Sequence, residues 1–215
     1  MIDSSQLPGA FEPITYDEDR AEVFIALESP SGFGKSTLGK LLSRRWNGCV
    51  IHTLASPHNE WSREAGTLMP LPQLAFYLSG LLHVSDRARQ ALTIGPVIAD
   101  RYTSSVVACQ AAIHGATTSE VDRLLFPFRP YLVVPDVTFY LRCSEETLRS
   151  RLEQKPDYKQ DDADLFGIPG RFKSLVDSFE AVAADDPTAV MLETDGLTPN
   201  DLVHAVTAHM ETIRA

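Results

Sequence analysis

With 215 residues, 44% of them hydrophobic, the chain can bury one full core and has room for little beyond a single domain with a small insertion. A formal charge of −10 excludes a general nucleic-acid binder, because affinity for a phosphate backbone needs clustered Lys and Arg. No window approaches the run of about 18 apolar residues that suggests a membrane span, Cys49, Cys109 and Cys143 show no CxxC or other metal spacing, and no basic-then-apolar leader opens the chain. The expectation is a reduced, cytoplasmic protein that engages neither membrane nor nucleic-acid polymer.

In chain order, residues 1–20 carry two prolines and the acidic run Asp17, Glu18, Asp19, and read as an irregular lead-in to a single domain over 21–215. Strand-like segments recur near 22–28, 49–54, 96–99, 136–142 and 188–193. Helical spacing follows at 35–46, 71–92, 102–114, 118–126, 144–153, 170–184 and 198–213, the last two-residue start being Thr198-Pro199. That alternation predicts an α/β fold, a parallel sheet covered by helices. The polar stretch over about 153–170, EQKPDYKQDDADLFGIPG, reads as a mobile loop between two helices, either a functional lid or plain surface.

The segment Phe24 to Thr37, FIALESPSGFGKST, runs from an apolar strand into a loop and a helix, and Ser29 to Ser36 fit the phosphate-loop template with Ser in place of the first Gly. Gly32 and Gly34 lack a Cβ, so the backbone can turn successive N–H groups toward phosphate oxygens. Lys35 supplies a point charge for the β and γ phosphates, the Ser36 hydroxyl is a magnesium ligand, and the helix opening at Lys35 aims its positive end at the same anion. Phe33 either covers an adenine or packs. These residues point to a nucleoside triphosphate, ATP with Mg2+.

A second segment, Val97 to Gln110, VIADRYTSSVVACQ, ends a buried strand on Asp100 and Arg101, at the end of an open sheet where ligands bind. Such a pair is either a structural salt bridge or a site; beside a phosphate loop, Arg101 suits an acceptor phosphate, and Asp100 suits magnesium or the proton of an attacking oxygen. Trp46 and Trp61 read as packing residues, and Phe76 and Tyr77 as core or dimer interface. His52, His58 and His114 have no ligand spacing, so no zinc site is expected.

The order of FIALESPSGFGKST, SDRA (85–88), VIADRYTSSVVACQ, PDVTFYL (135–141) and a polar segment before RFKSLVDSFEAVAADDP (171–187) resembles a thymidylate kinase over nearly all of the chain after residue 21. The resemblance implies a P-loop kinase: a five-stranded parallel sheet with helices on both faces, a lid closing over ATP, and a homodimer. It carries Lys35, Ser36 and Thr37 over as donor-side residues, and Arg149, Arg151 and Arg171 as lid candidates for the transferring phosphoryl group. It sets Ser31 where the family has a sugar-binding Asp, and Ala55 to Asn59 where it has an Arg-containing segment. By the same alignment His83 replaces a base-stacking aromatic residue before Asp86 and Arg87, Val106 a polar base contact, and Cys109 a Tyr that crowds the sugar 2′ position. Glu28, Arg87, Arg101 and Gln110 complete the expected acceptor site. The departures gather on the acceptor side, so the implied enzyme is a kinase of a nucleoside monophosphate or nucleotide-like small molecule other than strictly dTMP. A nucleoside kinase, a kinase of a specialised nucleoside metabolite and a non-catalytic ATP-binding module remain as alternatives.

Overall fold

A computed structural model of the chain describes Pro13 and residues 22–155 and 160–214; the expected lead-in, Pro13 aside, and residues 156–159 of the expected lid lie outside them. Five strands, β1 (Phe24–Glu28), β2 (Cys49–His52), β3 (Val97–Asp100), β4 (Val137–Arg142) and β5 (Ala189–Glu193), form one sheet in the order β2-β3-β1-β4-β5. Every pairing is parallel. The inner strands β1 and β3 are apolar up to their last residue and buried throughout, without alternation, as strands covered on both faces must be, and β4 is buried up to Arg142.

The helices among the described residues are α1 (Lys35–Trp46), α2 (His58–Ala65), α3 (Pro70–Ala91), α4 (Thr103–His114), α5 (Thr118–Leu125), α6 (Glu145–Glu153), α7 (Gln160–Gly167), α8 (Arg171–Asp185) and α9 (Pro199–Arg214), with a 3₁₀ stretch at Phe126–Tyr131. Strand alternation divides the core. Ile25, Leu27, Val137, Phe139 and Leu141 pack with Leu38, Leu42, Leu148 and Val206 on one face. Phe24, Ala26, Val97 and Ala99 pack with Leu74, Leu81, Val106 and Val107 on the other, where Tyr140 and α8's Phe179 form an adjoining cluster. Tyr140 also ties three elements together: its hydroxyl donates to Asp186 at 2.8 Å and meets the Ser104 hydroxyl at 2.8 Å.

All five expected strands are present within two residues of their expected bounds. Two helices were not expected. α2 buries only Ala65, so it has no apolar stripe to read. α7 stands inside the stretch read as a mobile loop, and corrects that reading: its polar composition hides a helix that buries Asp162 and Leu165. Among the described residues no helix is long and apolar enough to cross a membrane.

Phe139, 1% exposed in the cluster that covers one face of the sheet, is a direct probe of this packing. Phe139→Ala should lower the unfolding free energy by about 3–5 kcal/mol in urea with an unchanged m-value, as removal of a buried ring does.

Candidate active site

The site is built at the carboxyl ends of β1 and β3, whose register sets Leu27 beside Asp100. From there the two chains diverge into the phosphate loop and into α4. Gly34 caps α1 with φ 97° and Gly32 has φ 86°, conformations that residues with a Cβ rarely adopt. Gly32 has a second constraint, since a Cβ there would lie 2.6 Å from Leu148 Cδ1 and 2.8 Å from Leu152 Cδ2. Helix α6 is thus seated directly on the loop.

Lys35 is 5% exposed, and its Nζ donates to Ser29 O at 2.9 Å, Ser29 Oγ at 3.1 Å and Pro30 O at 2.6 Å. Burial, and after it the nearby Arg101 guanidinium, push its pKa down to about 7, against the pull of Asp100 and Glu28. Ser36 Oγ donates to Asp100 Oδ2, so the two candidate magnesium ligands already touch. Thr37 is exposed on the next position of the helix. Phe33 is 3% exposed in the core with Leu38 and Leu148, which decides between its two readings: the ring packs, leaving only its backbone to face a phosphate.

Glu28, the last residue of β1, is fully buried. Its carboxylate accepts from the Tyr102 N–H at 2.8 Å and from the Ser105 hydroxyl, and burial raises its pKa above the usual carboxylate range. Arg101 adopts φ 72°, a left-handed conformation unusual outside Gly, and its Nη1 donates to Ser105 Oγ at 3.3 Å. The strained residue and the buried carboxylate therefore share one serine.

Opposite them, α7 reaches the phosphate loop through Asp162, 1% exposed, whose Oδ1 accepts from Ser31 Oγ at 2.7 Å and whose Oδ2 lies 2.5 Å from Lys155 Nζ. Neither Asp162 nor Lys155 figures among the expected site residues. The spacing of Asp162, Leu165 and Phe166, one helical face, was the signal available for them.

No protein-family model matches the chain. A thymidylate kinase of Leifsonia xyli subsp. xyli (strain CTCB07) is 33% identical over 147 residues, which cover 62% of this chain and 70% of that protein. The chain belongs to the thymidylate kinase family. It is accordingly a phosphotransferase. Among solved structures, a thymidylate kinase from Candida albicans matches with a TM-score of 0.73 at 17% identity over 90% of this chain and 92% of that one. A deoxyadenosine kinase from M. mycoides matches with a TM-score of 0.66 at 16% identity over 88% and 100%. Both share the P-loop kinase fold described above.

Within this thymidylate kinase-like frame the arginines expected at a lid differ sharply. Arg149 pairs with Glu145 at 2.6 Å and lies 3.7 Å over the Phe166 ring, holding α6 to α7. Arg151, expected at the transferring group, donates to Thr194 Oγ1 and Thr194 O, both at 2.9 Å, beyond the end of β5. Arg171 opens α8, where its N–H donates to Ile168 O at 3.1 Å.

On the acceptor side, Val106 is 3% exposed in the core and Cys109 is close enough to Lys35 to influence its charge. Gln110 is 3% exposed, and its Oε1 has no hydrogen-bond partner among the described residues. His83 packs its ring on His58 at 5.4 Å, and His58 Nε2 meets Ser79 Oγ at 3.0 Å. Arg87 is a correction. α3 passes the end of β2 at Gly80, where a Cβ would lie 2.9 Å from Thr53 O, and seven further residues carry the helix about 10 Å toward the opposite end of the sheet. Arg87 lies there, close enough to Cys49 at the start of β2 to favour its thiolate, and away from the carboxyl ends of β1 and β3 where the expectation set it. At that crossing α3 presents Phe76 and Ser79, which meet His58 of α2.

Two measurements test this geometry. Lys35 has a folded-state pKa of about 7 against 10.5 unfolded, so the folded protein binds fewer protons between those values and gains stability as pH rises through the window. In urea titrations from pH 7 to 10, the wild type should gain on Lys35→Met; equal slopes would refute the buried lysine's titration. Removing the hydroxyl in Ser31→Ala should loosen α7 by about 1 kcal/mol, seen as roughly fivefold faster amide exchange over Gln160–Gly167.

Proposed function

We propose that the chain transfers the γ-phosphoryl group of ATP to a nucleoside or nucleoside monophosphate other than strictly dTMP. The observation that carries this is the convergence of Lys35, Ser36, Asp100, Arg101 and Glu28 at the joined ends of β1 and β3, in a chain of the thymidylate kinase family. The family resemblance extends the proposal to a cytoplasmic homodimer.

The residues carry the reaction by positioning and charge, as phosphoryl transfer demands. The backbone N–H groups of Gly32, Phe33 and Gly34 and the Lys35 ammonium hold the donor phosphates. To do so, Lys35 exchanges its bonds to Ser29 O and Pro30 O for phosphate oxygens, a stronger, charge-assisted set. The Ser36 hydroxyl and the Asp100 carboxylate offer the hard oxygen ligands that suit Mg2+, which when bound neutralises phosphate charge. Arg101 and Glu28 face the acceptor. Ser31 departs from the family where the sugar is read, and its hydroxyl is committed to Asp162, which supports an acceptor other than dTMP.

Lys35→Ala should lower kcat by about two to three powers of ten or more while the fold persists, in line with the loss of a charge aimed at the transition state. Release of ADP in a coupled assay over a panel of nucleosides and monophosphates measures it, and near-normal turnover in the variant would make the loop structural.

A further inference from the structure

We propose that the acceptor is an uncharged nucleoside, phosphorylated on a sugar hydroxyl, rather than a nucleoside monophosphate; this rests on the kinase reading above and narrows it.

A monophosphate acceptor brings a second anion against the donor's phosphates, so its site must supply cations of its own. The carboxyl ends of β2 and β3, where the proposed acceptor would enter, are flanked by residues 53–65, the first half of α3 and the first turns of α4. Among the described residues there, the cations are Arg63, exposed on α2, and Arg101. Arg101 already shares Ser105 with Glu28, whose carboxylate it stabilises. Position 55 is Ala, and where α3 crosses the end of β2 the contact of Gly80 with Thr53 O leaves no room for any side chain, charged or neutral. The groups that do stand beside Gly80 are uncharged: the Ser79 hydroxyl, the Phe76 ring, and His58, whose proton affinity is lowered by burial and by His83.

The second observation is Glu28. A phosphate oxygen arrives deprotonated and needs no base, whereas a hydroxyl must give up a proton as it attacks. Glu28 is a fully buried carboxylate one hydrogen bond behind the Ser105 hydroxyl, and burial raises its affinity for that proton. In the step, the sugar oxygen bonds to the γ-phosphorus while the bond from that phosphorus to the β–γ bridging oxygen breaks. ADP leaves with the bridging electron pair. The hydroxyl proton passes to Ser105 Oγ as the Ser105 proton passes to Glu28, which ends protonated and returns its proton to solvent after product leaves.

The experiment uses the full chain with ATP and magnesium, offered the common ribo- and deoxyribonucleosides and their 5′-monophosphates, with products identified by mass. The expected product is a nucleoside monophosphate, with kcat/KM at least about tenfold higher for the nucleoside than for its own monophosphate, the range that one pocket's charge complement can set. Glu28→Gln should lower kcat for the nucleoside by about a hundredfold or more with KM within about threefold, and abolish the acid limb of the kcat pH profile. ATP binding retained by that variant shows that it folds. Conversion of monophosphates to diphosphates with equal or greater kcat/KM overturns this proposal and leaves the kinase reading standing. Full kcat in Glu28→Gln overturns it as well, and bound ATP with transfer to none of the acceptors overturns both readings.

Discussion

The parallel register that sets Leu27 beside Asp100 is the constraint on which the rest of the molecule depends. It brings four ionisable groups, Glu28, Lys35, Asp100 and Arg101, to one place at the ends of two central strands, three of them almost wholly buried. Buried charges are tolerated only when partnered. Each here has its partner: Tyr102 N–H and Ser105 for Glu28, loop carbonyls for Lys35, Ser36 for Asp100, Ser105 for Arg101. A one-residue slip between the strands would turn Asp100 to the opposite face of the sheet and orphan Ser36, so the register and the chemistry are fixed together.

The phosphate loop is held from outside as well. Leu148 and Leu152 close on Gly32 from α6, while Asp162 takes the Ser31 hydroxyl from α7. The two attachments differ in kind. The leucine contact is apolar and leaves no room for a Cβ at position 32, which also excludes a loop-borne arginine there. The Asp162 contact is polar and buried, and it is braced by Lys155.

Legibility in the sequence followed the same division between local and tertiary causes. The strands could be read because inner parallel strands are bare apolar runs, and the phosphate loop because its glycines serve backbone conformations that only the local chain determines. α7 was missed because its composition is that of a surface loop and its buried face amounts to Asp162 and Leu165. Arg87 was misplaced for a different reason. How far along a helix the site lies depends on where that helix crosses a strand, and the crossing at Gly80 is a close backbone approach to Thr53 that a lone mid-helix glycine only hints at. The two histidines at 58 and 83 were read separately, and only the pairing of α2 with α3 brings their rings together.

The electrostatics of the site are asymmetric in a way that the residues' identities alone do not show. Arg101 lowers the proton affinity of Lys35, so without ligand the two cations oppose one another across the loop. An anion between them relieves that opposition on the donor side, where the loop amides and the α1 N-terminus add their own positive field. On the proposed acceptor side the fully buried Glu28 already balances the partly exposed Arg101. In the proposed reading the unmet attraction therefore points toward the donor phosphates, while the acceptor wall is close to neutral. A wall of that kind gains little from a second phosphate and can select its ligand by shape and hydrogen bonding, through groups such as the Gln110 side-chain carbonyl, which has no partner among the described residues.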